Sequence, residues 1–157
     1  MIDAIRNDPE WRGGNYSAQP QSLRTFAETL FLMASNPVLR QQEMPTLAKS
    51  DATLDAFVVD RLKTGDANDV LYQAEAPHDY DPGPELEKIR APLLAVNSAD
   101  DLINPPELGI LEDKIKRVSK GRAVVLPVSP ATRGHGTHTF AAVWKQYLQE
   151  LLTASAR

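Results

Sequence analysis

The chain contains no cysteine. That excludes disulfides, thiolate catalysis and cysteine-based zinc sites, and it leaves the redox compartment undecided. An excess of basic residues is also lacking: 17 Lys and Arg stand against 21 Asp and Glu, a net charge of −4. A general nucleic-acid binder is therefore not expected, because phosphate neutralisation needs a surplus of cations. No apolar run is long enough to span a bilayer. The amino-terminal MIDAIRNDPEW has no apolar core of the kind a signal peptide carries, so a cytoplasmic location is the expectation. No internal repeat or low-complexity tract is present. What is there, 42% hydrophobic and 24% charged residues in 157, suits one globular domain of ordinary size.

The first half reads as helical. AIRNDPEWRGGNY looks like a helix end running into an irregular loop, with Gly13-Gly14 permitting a turn. Leu23, Phe26, Ala27, Leu30, Phe31 and Ala34 fall at helical spacing over 22–35, and Pro37 marks the end of that run. Residues 38–50 are polar without a clear period. A second helix is predicted over 53–63, followed by Gly65, and a shorter one over 66–73.

The composition changes at APHDYDPGPELEKIRAP, which is dense in proline. LLAVNS after it fits a short buried strand. Pro105-Pro106 can start a helix at its first turn, and Leu108, Leu111, Ile115 and Val118 give the run 107–118 an amphipathic face ending at Gly121. Ala123–Val128 is the second predicted strand, and the order strand, helix, strand makes a parallel, right-handed crossover. A last helix is predicted over 137–152, with Phe140, Trp144, Tyr147, Leu148 and Leu151 as its apolar stripe. Trp144 and Tyr147 are read as packing against the sheet rather than as cofactor contacts.

In an open α/β sheet, functional residues gather in the loops after the strands. The loop after the first strand, NSADDLINPPE, carries Asp100 and Asp101; the loop after the second, SPATRGHGTHT, carries His135 between Gly134 and Gly136. A carboxylate there can orient an imidazole, and an imidazole there can act as general base and then acid. The plainer alternatives are a turn or helix-cap role for Asp100 or Asp101 and a simple loop role for His135. His138 reads as a first-turn helix residue and His78 as a surface loop residue. His135 and His138 form an H-x-x-H pair, but no acidic residue has a recognisable ligand spacing to it, so no metal site is expected.

The order Asp then His, separated by room for one helix and one strand, matches the end of the α/β-hydrolase fold, whose triad runs Ser, Asp, His. The G-x-S-x-G elbow of that fold is not found: no two of the eight glycines flank a serine at that spacing. The expected fold class is accordingly α/β, the carboxyl-terminal part of an α/β-hydrolase fold. Residues 1–82 would be a helical cap segment and 83–157 the β-α-β-α part of the core, two parallel strands with flanking helices. The nucleophile would stand in a half that this chain does not include.

The chain resembles homoserine O-acetyltransferases and their close relatives. AIRNDPEWRGGNY resembles the segment after their nucleophile region. GDANDVLYQAEAPHDYDP resembles the stretch leading out of their cap. IRAPLLAVNSADDLINPPE resembles their acid-bearing strand and loop, and GHGTHT sits where they carry the catalytic histidine. The resemblance implies His135 as base and Asp101 as acid, four residues before Pro105, with Asp100 as the alternative acid one residue earlier. It implies a small-molecule substrate, acetyl-CoA as co-substrate without a permanently bound cofactor, and room for a homodimer of the complete enzyme. One departure stands out: these enzymes usually carry an Asp straight after the histidine, linked with amino-acid substrate recognition, and here it is Gly136. A plain esterase is the second expectation, and a non-catalytic partner-binding chain the third. Two strands alone make a marginal sheet with open edges, so the isolated chain is expected to be unstable or to associate.

Overall fold

The computed structural model describes residues 1–156. Their contacts divide into two compact units: residues 1–32 with 41–81, and residues 33–40 with 82 onward.

The first unit is helical. Its elements are α1 (Ile2–Arg6), most of α2 (Ser22–Met33), α4 (Leu47–Thr64) and α5 (Ala67–Glu75). Ile5 of α1 and Ala67 and Leu71 of α5 form a buried cluster, against which Ile2, Trp11, Tyr16 and Val70 pack. Asp66 caps α5, its carboxylate accepting from the amides of Asn68 and Asp69. The loop before α2 is tied to the same helix start: Trp11 Nε1 donates to Asn68 Oδ1 at 2.7 Å, and Asn68 Nδ2 donates to the Gly14 carbonyl at 3.1 Å. The Phe31 and Phe57 rings join α2 and α4 with centroids 5.3 Å apart. In sequence, α2 is followed by α3 (Pro37–Glu43), which starts in the second unit.

Two sequence expectations change here. Pro37 begins a helix rather than only closing one, because a proline at the first helical position loses no needed hydrogen bond. The helix expected from residue 53 starts at Leu47, capped by Thr46, whose hydroxyl accepts from Lys49 N. Its first turn is exposed, Leu47 included at 77%, so no buried apolar stripe marks it.

The second unit holds the sheet. Strands β1 (Leu93–Ser98) and β2 (Gly121–Leu126) are parallel, in register from Leu93 opposite Gly121 to Ser98 opposite Leu126. The second strand thus runs two residues earlier than the apolar run suggested. The connection is broken, not one helix over 107–118: a single turn at Pro106–Leu108, then α6 (Ile110–Lys114), then a turn at Ile115–Arg117. Gly109, at φ +66°, supplies the left-handed step that separates the first two. The final helix, α7 (Ala141–Ser155), likewise starts later than expected, after a separate turn at Gly136–Thr139. Leu94 and Val96 of β1 face the same cleft as Trp144, Leu148 and Leu151 of α7. Among the described residues, no helix is long and apolar enough to cross a membrane.

Candidate active site

The parallel register ends β1 and β2 side by side, at Ser98 and Leu126, so the loops that follow them emerge together. Ala99 N donates to the Leu126 carbonyl at 2.8 Å, extending the ladder one step past the strand. Asp101 N then donates to the Ser98 carbonyl, turning the chain sharply. At this turn the Asp101 side chain is 5% exposed.

The two oxygens of Asp101 do different work. Oδ1 accepts from the amides of Ile103 and Asn104 at 2.8 and 2.9 Å, the local turn that Asp favours. Oδ2 lies 3.1 Å from His135 Nδ1. An ionised carboxylate only accepts, so this contact fixes the proton on Nδ1 and leaves Nε2 with a free lone pair. Burial pushes the Asp101 carboxyl upward, but the bonds from Asn104, His135 and Ile103 outweigh it and hold the group below its ordinary value of 3.8. The turn reading and the imidazole-orienting reading of Asp101 are therefore compatible, one on each oxygen.

Asp100 points elsewhere. Its Oδ2 accepts from Asn36 Nδ2 at 2.5 Å and from Gly134 N at 3.0 Å, while Oδ1 takes a short bond from the Ser98 hydroxyl. Burial raises this carboxyl as well, and the bonds from Ser98, Gly134, Thr132 and Asn36 bring it below its ordinary value. The structure brings Asp101 and His135 together and places the Asp100 carboxylate on the backbone of the histidine loop.

His135 stands at the start of the Gly136–Thr139 turn with its side chain 30% exposed. Below it, Thr132 is buried and closes the loop on Ser129, and the Thr137 hydroxyl accepts from Arg133 N. His138 Nδ1 donates to the His135 carbonyl at 2.6 Å, and its ring lies 5.0 Å from that of His135. Trp144 Nε1 donates to the His138 carbonyl at 3.0 Å, so the indole is held at the site's wall rather than only against the sheet. His78 is exposed and belongs to the helical unit. Among the described residues no three His, Asp or Glu side chains form a group that could hold a metal ion.

A cleft of about 490 Å³ opens onto the pair. Asp101, His135 and His138 line its polar end, and Leu94, Val96 and Leu148 are among its apolar walls. Sequence reasoning did not single out Asn36, Ser98 or Gly134 as supports. Asn36-Pro37 did carry a signal, since Asn before Pro is a helix start as well as a stop. Nothing in the sequence links Asn36 to Asp100, 64 positions away.

Paired strand-end loops holding a carboxylate against an imidazole belong to the closing part of an α/β-hydrolase core, and that is the fold of this chain. Among solved structures, it is similar to an esterase named E22, with a TM-score of 0.76 and 21% identity; the match covers 96% of this chain and 48% of that one. It is also similar to the acetyl esterase MekB, with a TM-score of 0.70 and 20% identity, covering 97% of this chain and 48% of that one. The chain spans about half the length of these proteins and matches their carboxyl-terminal half. No protein-family model and no curated protein sequence matches the chain.

Proposed function

We propose that this chain supplies the acid and the base of an acyl-transfer site acting on small esters. The supporting observation is the contact between Asp101 Oδ2 and His135 Nδ1 at 3.1 Å, which leaves Nε2 as the free base. The nucleophilic serine comes from a further polypeptide segment bearing a G-x-S-x-G elbow. His135 Nε2 takes the serine proton as the hydroxyl attacks the ester carbonyl, and returns it to the departing alcohol oxygen. Asp101 holds the ring's tautomer and stabilises the imidazolium. Water, activated by the same Nε2, then releases the acid.

Hydrolysis is the favoured outcome. Gly136 replaces the Asp that the resembling acetyltransferases carry after the histidine, and the similar structures are esterases, one of them an acetyl esterase. Transfer of an acetyl group from acetyl-CoA to a hydroxyl acceptor is the second reading, favoured by the order of segments shared with homoserine O-acetyltransferases.

The test is to read the DNA frame upstream of Met1 and to express whatever polypeptide joins this chain to a serine elbow. That protein should release free acetate from an aryl acetate and should acetylate homoserine poorly or not at all. Replacing His135 with Ala should abolish both activities. Full activity without His135, or no serine elbow in cis or in a co-expressed partner, would sink the proposal.

A further inference from the structure

His135 touches Asp101, but the backbone that carries His135 is held by something else. The residue before it, Gly134, donates its N–H to Asp100 Oδ2 at 3.0 Å. The residue after it, Gly136, donates its N–H to the Ala34 carbonyl at 2.9 Å. Both anchors converge on the tripeptide Ala34-Ser35-Asn36, because Asn36 Nδ2 donates to the same Asp100 Oδ2 at 2.5 Å. Ser35 fills the space between: its backbone carbonyl carbon would lie 2.8 Å from a Cβ built on Gly134. Ser35 and Asn36 are both buried.

The orientation of Asn36 is fixed from its other end. Its Oδ1 accepts from Leu39 N at 2.7 Å, capping α3. With the carbonyl oxygen committed to the helix, the NH₂ must face Asp100. Helix start, Asn36, Asp100, Gly134 and His135 therefore form one chain of directed bonds.

We propose that Asp100 and Asn36 are positioning residues for His135, dividing labour with Asp101: Asp101 sets the imidazole's tautomer, while the Asn36–Asp100 pair fixes the loop so that the ring reaches Asp101. The word positioning in its catalytic sense rests on the acyl-transfer reading above; the effect on the ring does not. An imidazole at 3.1 Å from its acceptor loses that bond with a backbone shift of about 1 Å, since hydrogen bonds weaken steeply beyond about 3.5 Å.

The experiment reads the imidazole directly, by ¹⁵N–¹H correlation spectra of the three histidines of this chain, with His135 assigned by its loss in His135→Gln. In the unaltered chain His135 should show the single Nδ1–H tautomer. Asn36→Asp is the decisive variant. Aspartate still caps α3 but sets a second carboxylate against Asp100, so helicity persists while the clamp opens. It and Asp100→Ala, which removes the acceptor altogether, should move His135 to a mixture in which Nε2–H is the larger share, the distribution of an unrestrained imidazole. His78, in the other unit, should not change. Ser98→Ala, which removes one hydroxyl from Asp100, gives a smaller shift in the same direction and serves where the stronger variants do not fold. An unchanged His135 spectrum in folded Asn36→Asp or Ser98→Ala overturns the proposal. The readout needs no substrate. If His135→Ala leaves ester hydrolysis intact in the assembled protein while these variants still disturb the tautomer, the acyl-transfer reading falls and the clamp stands.

Discussion

Asp101 Oδ2 and His135 Nδ1 stand 3.1 Å apart across 34 residues of chain. The same carboxylate's other oxygen is bound by two backbone amides of its own turn, so the side chain cannot swing away without breaking both. Asp101→Asn keeps an oxygen for those amides but turns an NH₂ toward the ring. The imidazole must then accept at Nδ1 and protonate at Nε2, which removes the base. On the proposed acyl-transfer chemistry, kcat of the assembled protein should fall by on the order of 10⁴ while KM changes little. Kinetics on an aryl acetate, with the His135 ¹⁵N pattern alongside, checks both halves of the statement.

The acid limb of stability follows from the same loop. Asp100 and Asp101 are both held below their ordinary value of 3.8. A carboxylate whose pKa is lower in the folded than in the unfolded state gives its full contribution above the unfolded value. It loses that contribution as the pH falls through the folded value. Resistance to urea should therefore be flat from neutral pH to about 4 and then decline. With Asp100 and Asp101 both replaced by Asn, the decline should be shallower, starting from a lower plateau. Denaturation midpoints followed by circular dichroism between pH 2 and 7 measure the two slopes, and parallel slopes would remove these carboxylates as the cause.

Much of this site can be read in the sequence because its parts are local. Strand, Asp-bearing turn and stiffening prolines are contiguous at 93–106, and His135 sits between two glycines in a loop of turn formers. The resemblance favours Asp101 as the acid by its spacing to Pro105 and leaves Asp100 as the alternative one residue earlier. What separates them is which carboxylate reaches Nδ1, a matter of backbone direction after Ser98 that residue types do not encode. The support from Asn36 was invisible for a related reason, since it is a tertiary contact made by a residue whose local role, capping α3, is already complete. The broken connection at Gly109 and the late start of α7 were hidden because apolar spacing is shared by helices and by successive short turns.

Gly134 and Gly13 have nearly the same backbone, at φ +59° and +63°, in different surroundings. A Cβ on Gly13 would meet nothing within 4 Å, whereas one on Gly134 would meet three backbone atoms, of Ser35 and Asp100, at 2.8 to 3.1 Å. Gly13→Ala should cost about 1–2 kcal/mol, the penalty of a left-handed conformation. Gly134→Ala should cost more, and it should also disturb His135, since backbone cannot yield as a flexible side chain can. Urea titrations of the two variants give the ranking, and equal costs would mean that the histidine loop is looser than its contacts imply.

The helical unit offers a test independent of any chemistry. Leu71 and Tyr72 are neighbours on α5 with opposite fates: Leu71 is 4% exposed and belongs to the cluster with Ile5 and Ala67, while Tyr72 is 68% exposed. Replacing Leu71 with Ala removes buried methyl groups and opens a cavity that the short helices around it can only partly fill, at a cost of about 2–5 kcal/mol. Replacing the exposed Tyr72 with Ala should stay within about 0.5 kcal/mol. Ile5→Ala should match Leu71→Ala in size, and the double variant should cost less than the sum, because the two side chains share one cavity. Chemical denaturation of the three variants and the unaltered chain closes this cycle, and strict additivity would show that α1 and α5 do not share a core.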